Sequence, residues 1–136
     1  MIHKISEYGL RALLYIASEN RRNVGVREIS EVLSNDIDIS FSYLRKSMNL
    51  LVKKGYLHSV TGPGGGFSLS MDPASIFLLD LIRDLEGESV LNRCYLGTEE
   101  CRKKNPCPFH THWVAARERF HKSLKNATLE KMLQKP

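Results

Sequence analysis

The chain has 136 residues, 42% of them apolar, enough for one hydrophobic core and too few for a second independent domain. Its formal charge of +5 permits a polyanionic partner, and its three cysteines, all between positions 94 and 107, argue against a disulfide framework and toward metal binding or thiol chemistry. Apolar runs such as Ile76 to Leu79 fall far short of the roughly 18 residues that span a bilayer, and Met1 to Glu7 does not read as a secretory signal, so a cytoplasmic protein with no membrane contact is expected.

From Lys4 to Ser18 the residues Ile5, Tyr8, Ala12, Leu13, Ile16 and Ala17 recur at helical spacing, and the stretch Asn20 to Asn23 ends that helix. Val26, Ile29, Val32 and Leu33 predict a second helix, stopped by Ser34-Asn35-Asp36. A third begins near Ser40 and carries Phe41, Leu44, Met48, Leu51 and Val52 on one face before Gly55 closes it. Three short helices in a row form a helix-turn-helix arrangement.

After Gly55 the period changes. Tyr56 to Val60 and Phe67 to Ser70 are short, β-compatible runs around Thr61-Gly62-Pro63-Gly64-Gly65-Gly66, which predicts a hairpin with a glycine-rich tip, the wing of a winged helix. Asp72-Pro73 has the look of an N-cap and first helical residue, opening a helix through Ile76, Leu79, Ile82 and Leu85 to Gly87. Glu88 to Pro108 shows no period. A long helix then starts near His110, with Trp113, Ala116, Phe120 and Leu124 on one stripe and Asn126 at its end, and Thr128-Leu129-Glu130 suggests one more helical turn. The fold class is therefore mainly α with a small β-hairpin: a winged helix-turn-helix over 1–87, a cysteine loop over 88–109, and a dimerisation helix and tail over 110–136, in one compact domain.

Ser40 to Ser70 holds four basic residues, Arg45, Lys46, Lys53 and Lys54, and no acidic one. With Phe41 and Leu44 turned to the core, Ser40, Ser42, Tyr43, Arg45 and Lys46 point outward at a helix N-terminus, where free N–H groups favour phosphate and short polar side chains reach base edges. Those five and the wing residues Thr61, Gly62, Pro63, Gly64 and Gly65 are the candidate DNA contacts. The glycine tip lacks the Lys-Ser/Thr of a phosphate-cradling loop and opens a strand instead of a helix, so a nucleotide site is disfavoured.

Cys94-x6-Cys101-x5-Cys107 places three soft ligands within fourteen residues, and His110 is near enough to complete four. Spacing alone leaves zinc and an iron–sulfur cluster both open. A nucleophilic Cys107–His110 pair has no orienting partner or oxyanion-hole motif nearby, which disfavours an enzyme.

The Ser40-Phe41-Ser42-Tyr43-Leu44 helix start, the Gly62-Pro63-Gly64-Gly65-Gly66-Phe67 wing and the three-cysteine loop together resemble the winged-helix iron–sulfur transcription regulators named IscR, NsrR, RirA and CymR. The resemblance covers nearly the whole chain. It implies a homodimer joined through the long helix, hence an interface at Trp113, Ala116, Phe120 and Leu124. It also implies an iron–sulfur cluster, [2Fe–2S] or [4Fe–4S], on Cys94, Cys101, Cys107 and His110, and a double-stranded operator whose affinity the cluster state sets. Glu7 is an alternative fourth ligand, because it matches an N-terminal aspartate that ligates the cluster across the dimer in the nitric-oxide sensor. The chain departs from the pattern in its longer turn from Ser34 to Ile39 and in Arg45, which is acidic in the biogenesis regulator. A metal-bearing protein, zinc or redox, that uses the helix-turn-helix for protein contacts is the competing reading, separable by salt-dependent binding to duplex DNA.

Overall fold

The computed structural model describes residues 3–19, 23–93 and 108–134, apart from the side chains of Ser89 and Leu91. The apolar periodicities become helices α1 (Lys4–Glu19), α2 (Val26–Leu33) and α3 (Phe41–Lys53), then strands β1 (Leu57–Val60) and β2 (Gly66–Leu69), and helices α4 (Leu78–Glu86), α5 (His110–Lys125) and α6 (Leu129–Leu133). The core is continuous: Tyr8, Leu13, Ile29, Leu44, Met48, Leu51, Ile76, Leu81 and Leu129 are all within 2% of complete burial. Every helix contributes to it; α5 does so through Leu124, at 6% exposure.

Helix α1 is the axle of the structure. Its buried face meets α2, α3, α4, α6 and β2, and buried polar groups fix its register. Ser47 of α3 donates to the Ile5 carbonyl at 3.1 Å, which satisfies a hydroxyl that has no access to water. The Tyr8 hydroxyl donates to the Asp38 carbonyl at 3.0 Å and accepts from the Ser40 amide at 3.2 Å. The long turn between α2 and α3 is therefore anchored on α1, with Ile37 and Ile39 packed against the core.

Strands β1 and β2 pair in antiparallel register, Leu57 with Leu69 and Val60 with Gly66. Sequence periodicity missed a third participant: Val24 and Phe67 exchange both backbone hydrogen bonds at 2.8 Å, so the approach to α2 lies along the wing as a one-residue strand.

The helix expected from Asp72 to Gly87 is in fact two pieces. Asp72 caps a 3₁₀ turn, Pro73–Ser75, by accepting from the Ala74 amide, and the chain then extends at Ile76 before α4 begins at Leu78. Tertiary pairing overrides the local signal. Leu78 donates to the Ala127 carbonyl at 3.0 Å and Leu129 to the Ile76 carbonyl at 2.9 Å, an antiparallel bridge that needs extended backbone on both sides. A second 3₁₀ turn, Glu88–Asn92, follows α4 within the stretch that showed no period. The extra turn expected at Thr128 is α6, with Thr128 accepting from the Lys131 amide.

Candidate nucleic-acid interface and the cysteine segment

Ser40 caps α3, accepting from the Tyr43 amide, and its hydroxyl lies 3.3 Å from that of Ser42. Ser40, Ser42, Arg45 and Lys46 are exposed, and Tyr43 is half-buried. Its ring meets that of Tyr8 edge-to-face, centroids 5.9 Å apart, which holds it in place from inside the protein. The Lys46 ammonium stands 5.7 Å over Tyr43, and the Arg45 guanidinium 6.0 Å over Phe41. The expectation that Phe41 faces the core is corrected: it is 39% exposed, at the outer edge of the first turn, while Leu44, one turn further in, is fully buried.

Ser42, Arg45, Lys46, Asn49, Leu50 and Lys53 line one shallow depression along α3 that contains no carboxylate. Asn49 and Lys53 were absent from the candidate contacts; the spacing of Ser42, Lys46, Asn49 and Lys53 at three and four residues was the signal for them.

The wing tip is a tight turn. Gly65 donates to the Gly62 carbonyl at 2.9 Å across Pro63 and Gly64, and Gly64 has φ +73°, the pattern of a type II turn with proline second and glycine third. Thr61, Gly62, Pro63 and Gly64 are exposed and Gly65 is half-buried. A Cβ on Gly65 would lie 2.2 Å from the Val60 carbonyl oxygen, and one on Gly66 would lie 2.7 Å from the Val24 carbonyl group. Asn23 donates its side-chain amide to the Gly64 carbonyl at 3.2 Å, a tie to the tip that no local pattern announced.

Cys94, Cys101 and Cys107 lie outside the described residues, whereas both flanks of their segment are placed. The Arg93 carbonyl accepts from Trp113 Nε1 at 2.8 Å and from Arg117 at 3.4 Å, so the residue before Cys94 is fastened to the first half of α5, three and seven residues beyond His110. The Arg93 side chain reaches the His3 ring, and His3 and Ser6 together hold the nearly buried Glu86 carboxylate. His110 is the half-buried first residue of α5. Glu7 is about four-tenths exposed and pairs with Arg11 at 3.4 Å one turn along α1. Among the described residues, no group of three or more His, Cys, Asp or Glu is arranged to hold a metal ion, and no helix is long and apolar enough to cross a membrane.

On α5, Ala116 is exposed, Trp113 and Phe120 are half-buried, and Leu124 is buried within its own protomer. Of the four residues expected at a dimer interface, Leu124 instead belongs to the core.

The family model described as an iron-dependent transcriptional regulator, Rrf2, matches residues 2–135. The chain belongs to the Rrf2 family. It is 34% identical over 127 residues to the HTH-type transcriptional regulator IscR of Yersinia pseudotuberculosis, spanning 93% of this chain and 74% of that one. In three dimensions it is similar to CymR, the global cysteine regulator of B. subtilis, with TM-score 0.75 and 23% identity over 100% of this chain and 98% of that one. It is likewise similar to IscR of T. potens, with TM-score 0.72 and 25% identity over 98% and 85% of the two chains. Like other Rrf2 members the chain is a DNA-binding transcription regulator and not an enzyme. The mostly helical body with its two-stranded hairpin is the winged-helix fold of this family.

Proposed function

We propose that this Rrf2 regulator is a cytoplasmic homodimer that reads duplex DNA with α3 and the wing, and that an iron–sulfur cluster on the cysteine segment sets its operator affinity. The observation that carries the DNA-contact assignment is the carboxylate-free depression along α3, where Ser42, Arg45, Lys46, Asn49 and Lys53 share one surface. Its cations supply phosphate affinity, and the Arg45 fork and the short polar groups supply contacts to base edges. Ser40, Tyr43 and Thr61 to Gly65 complete the surface, a side-chain-poor tip suiting close approach to a minor groove.

Three thiolates within fourteen residues are a soft donor set that fits an iron–sulfur cluster, and membership of a family described as iron-dependent regulators favours iron over zinc. Cys94, Cys101 and Cys107 would hold it, with His110, or Glu7 from the partner, as fourth ligand. A cluster so held supplies a centre sensitive to oxidants and to competing ligands. The chain's own part is to fasten that segment. Arg93 is bound to α5 through its carbonyl and to His3 through its side chain, so the segment is tied to the helix proposed for dimerisation and to α1, which carries the recognition helix.

Anaerobic purification with visible spectroscopy and iron, sulfide and zinc analysis tests the cofactor, and duplex binding across a salt series tests the DNA surface. Arg45→Ala and Lys46→Ala should each lower the salt slope by about one if each cation meets a phosphate, and by less for Arg45 if it reads a base. Salt-insensitive binding would reject the DNA surface, and a preparation holding zinc without sulfide would reject the cluster.

A further inference from the structure

Helical periodicity assigns Phe41 to the core, yet the structure leaves it 39% exposed in the first turn of the recognition helix. An exposed phenyl group at that position calls for a role. Side chains on a helix lean toward its N-terminus, so a long residue four positions on lies back over the earlier one. Arg45 does this, its guanidinium carbon 6.0 Å from the Phe41 ring centroid. Among the described residues no carboxylate pairs with Arg45, so the ring is what holds the guanidinium at the N-terminal end of α3.

The neighbouring pair provides a comparison within the same helix. Lys46 stands over Tyr43 in the same manner. An ammonium group is a compact charge with freely rotating donors that needs little aiming, whereas a guanidinium is a rigid planar fork that matches the two acceptors of guanine only when correctly aimed. Orienting Lys46 therefore tunes affinity, and orienting Arg45 tunes which base is preferred.

We propose that Phe41 is a specificity-determining positioning residue, which fixes the Arg45 fork for bidentate recognition of guanine through the face of its ring. The inference rests on the DNA-contact reading of α3. It separates two properties that a simple basic patch would join: overall affinity, carried by all the cations, and discrimination at one base pair, carried by the stacked arginine.

The test is enrichment of sequences from a randomised duplex pool by the full-length protein, prepared anaerobically, alongside Phe41→Leu, Phe41→Trp and Arg45→Ala. Leucine keeps apolar bulk and removes the π-face; tryptophan keeps the face. The wild type should enrich a guanine at one position in each half-site, and Arg45→Ala should lose that preference. Phe41→Leu should weaken discrimination there about two- to five-fold, with melting midpoint and salt slope unchanged, and Phe41→Trp should retain it. A wild-type base profile in Phe41→Leu, or a loss spread evenly over all positions, overturns the inference and leaves DNA binding by α3 standing. If the wild type enriches no sequence, specific recognition falls and the inference falls with it.

Discussion

Tyr8 and Ser40 lie thirty-two residues apart in sequence, yet the phenol of one accepts a hydrogen bond from the backbone amide of the other. The same hydroxyl donates to the Asp38 carbonyl, and the same ring supports Tyr43. One buried side chain of α1 thus fixes the entry, the cap and the first turn of the recognition helix. Tyr8→Phe removes both hydrogen bonds and keeps the ring. It should cost about 1–2 kcal/mol in denaturant unfolding and weaken duplex binding more than that loss of folded protein explains. Binding equal to wild type at saturating folded protein would show that the turn holds its shape without the hydroxyl.

The wing glycines should separate by position. Gly64→Ala meets open space and suffers only the strain of its φ of +73°, a cost of about 1 kcal/mol. Gly66→Ala combines φ +144° with a Cβ 2.7 Å from the Val24 backbone, so it should cost more and detach the Val24 bridge. Thermal melting of the two variants checks the order. Equal midpoints would mean the wing and the Val24 strand are not packed as described.

For the proposed dimer, burial divides the α5 stripe. Ala116→Glu alters an exposed position and should give a folded monomer in sedimentation, its melting curve shifted only by the lost association. Leu124→Asp places a charge in the core and should unfold the chain. An Ala116→Glu protein that still sediments as a dimer would move the interface off this face.

The fourth ligand is tested by comparing His110→Ala with Glu7→Ala, each reconstituted anaerobically. Loss of the wild-type visible spectrum and cluster lifetime in the histidine variant alone assigns His110. Loss in the glutamate variant alone assigns Glu7 and places the ligand across the dimer. Glu7 pairs with a half-exposed Arg11 and His110 is a half-buried helix-start residue, so neither substitution should shift the melting midpoint of the apo-protein by much.

Alkaline stability follows from two tyrosines. Burial, reinforced by the Asp84 carboxylate that accepts a hydrogen bond from it at 2.5 Å, pushes the Tyr56 phenol well above its ordinary range. The Glu28 carboxylate, also at 2.5 Å, pushes Tyr15 up to about 12, with burial and Glu19 adding to the shift. An unfolded tyrosine loses its proton near pH 10. Both folded values are raised, so the stability these groups contribute is fully present below about pH 10 and is lost as the pH rises through the folded values. Tyr56→Phe should be less stable at neutral pH and show a flatter alkaline decline. In near-ultraviolet titration each Phe variant should remove part of the late-forming phenolate. An alkaline profile unchanged in both variants would contradict the assignment.

Much of this fold was legible because amphipathic period, cap and turn chemistry agree. The spacing of Ile5, Tyr8, Ala12 and Ile16, the Ser40 and Thr128 caps, and Pro63-Gly64 in the wing each name their element. Errors arose where distant segments decide. Asp72-Pro73 carries a sound helix-start signal, but pairing of Ile76 to Leu78 with Ala127 to Leu129 pulls the backbone straight. Phe41 obeys the apolar period and lies beyond the edge of the core it was assigned to. Of the proposed DNA surface, the α3 candidates stand out as a basic stretch free of acid, whereas Asn23, holding the wing tip from forty-one residues away, has no local signature.

The bridge between Ile76 to Leu78 and Ala127 to Leu129 also bears on how the chain survives damage. Leu129 is fully buried and Leu124 nearly so, so α5 and α6 are sewn to α4 and the residues before it by backbone bonds and apolar contacts that do not depend on covalent passage through positions 94–107. A single proteolytic nick within that segment would leave two fragments that remain assembled and part only under denaturant.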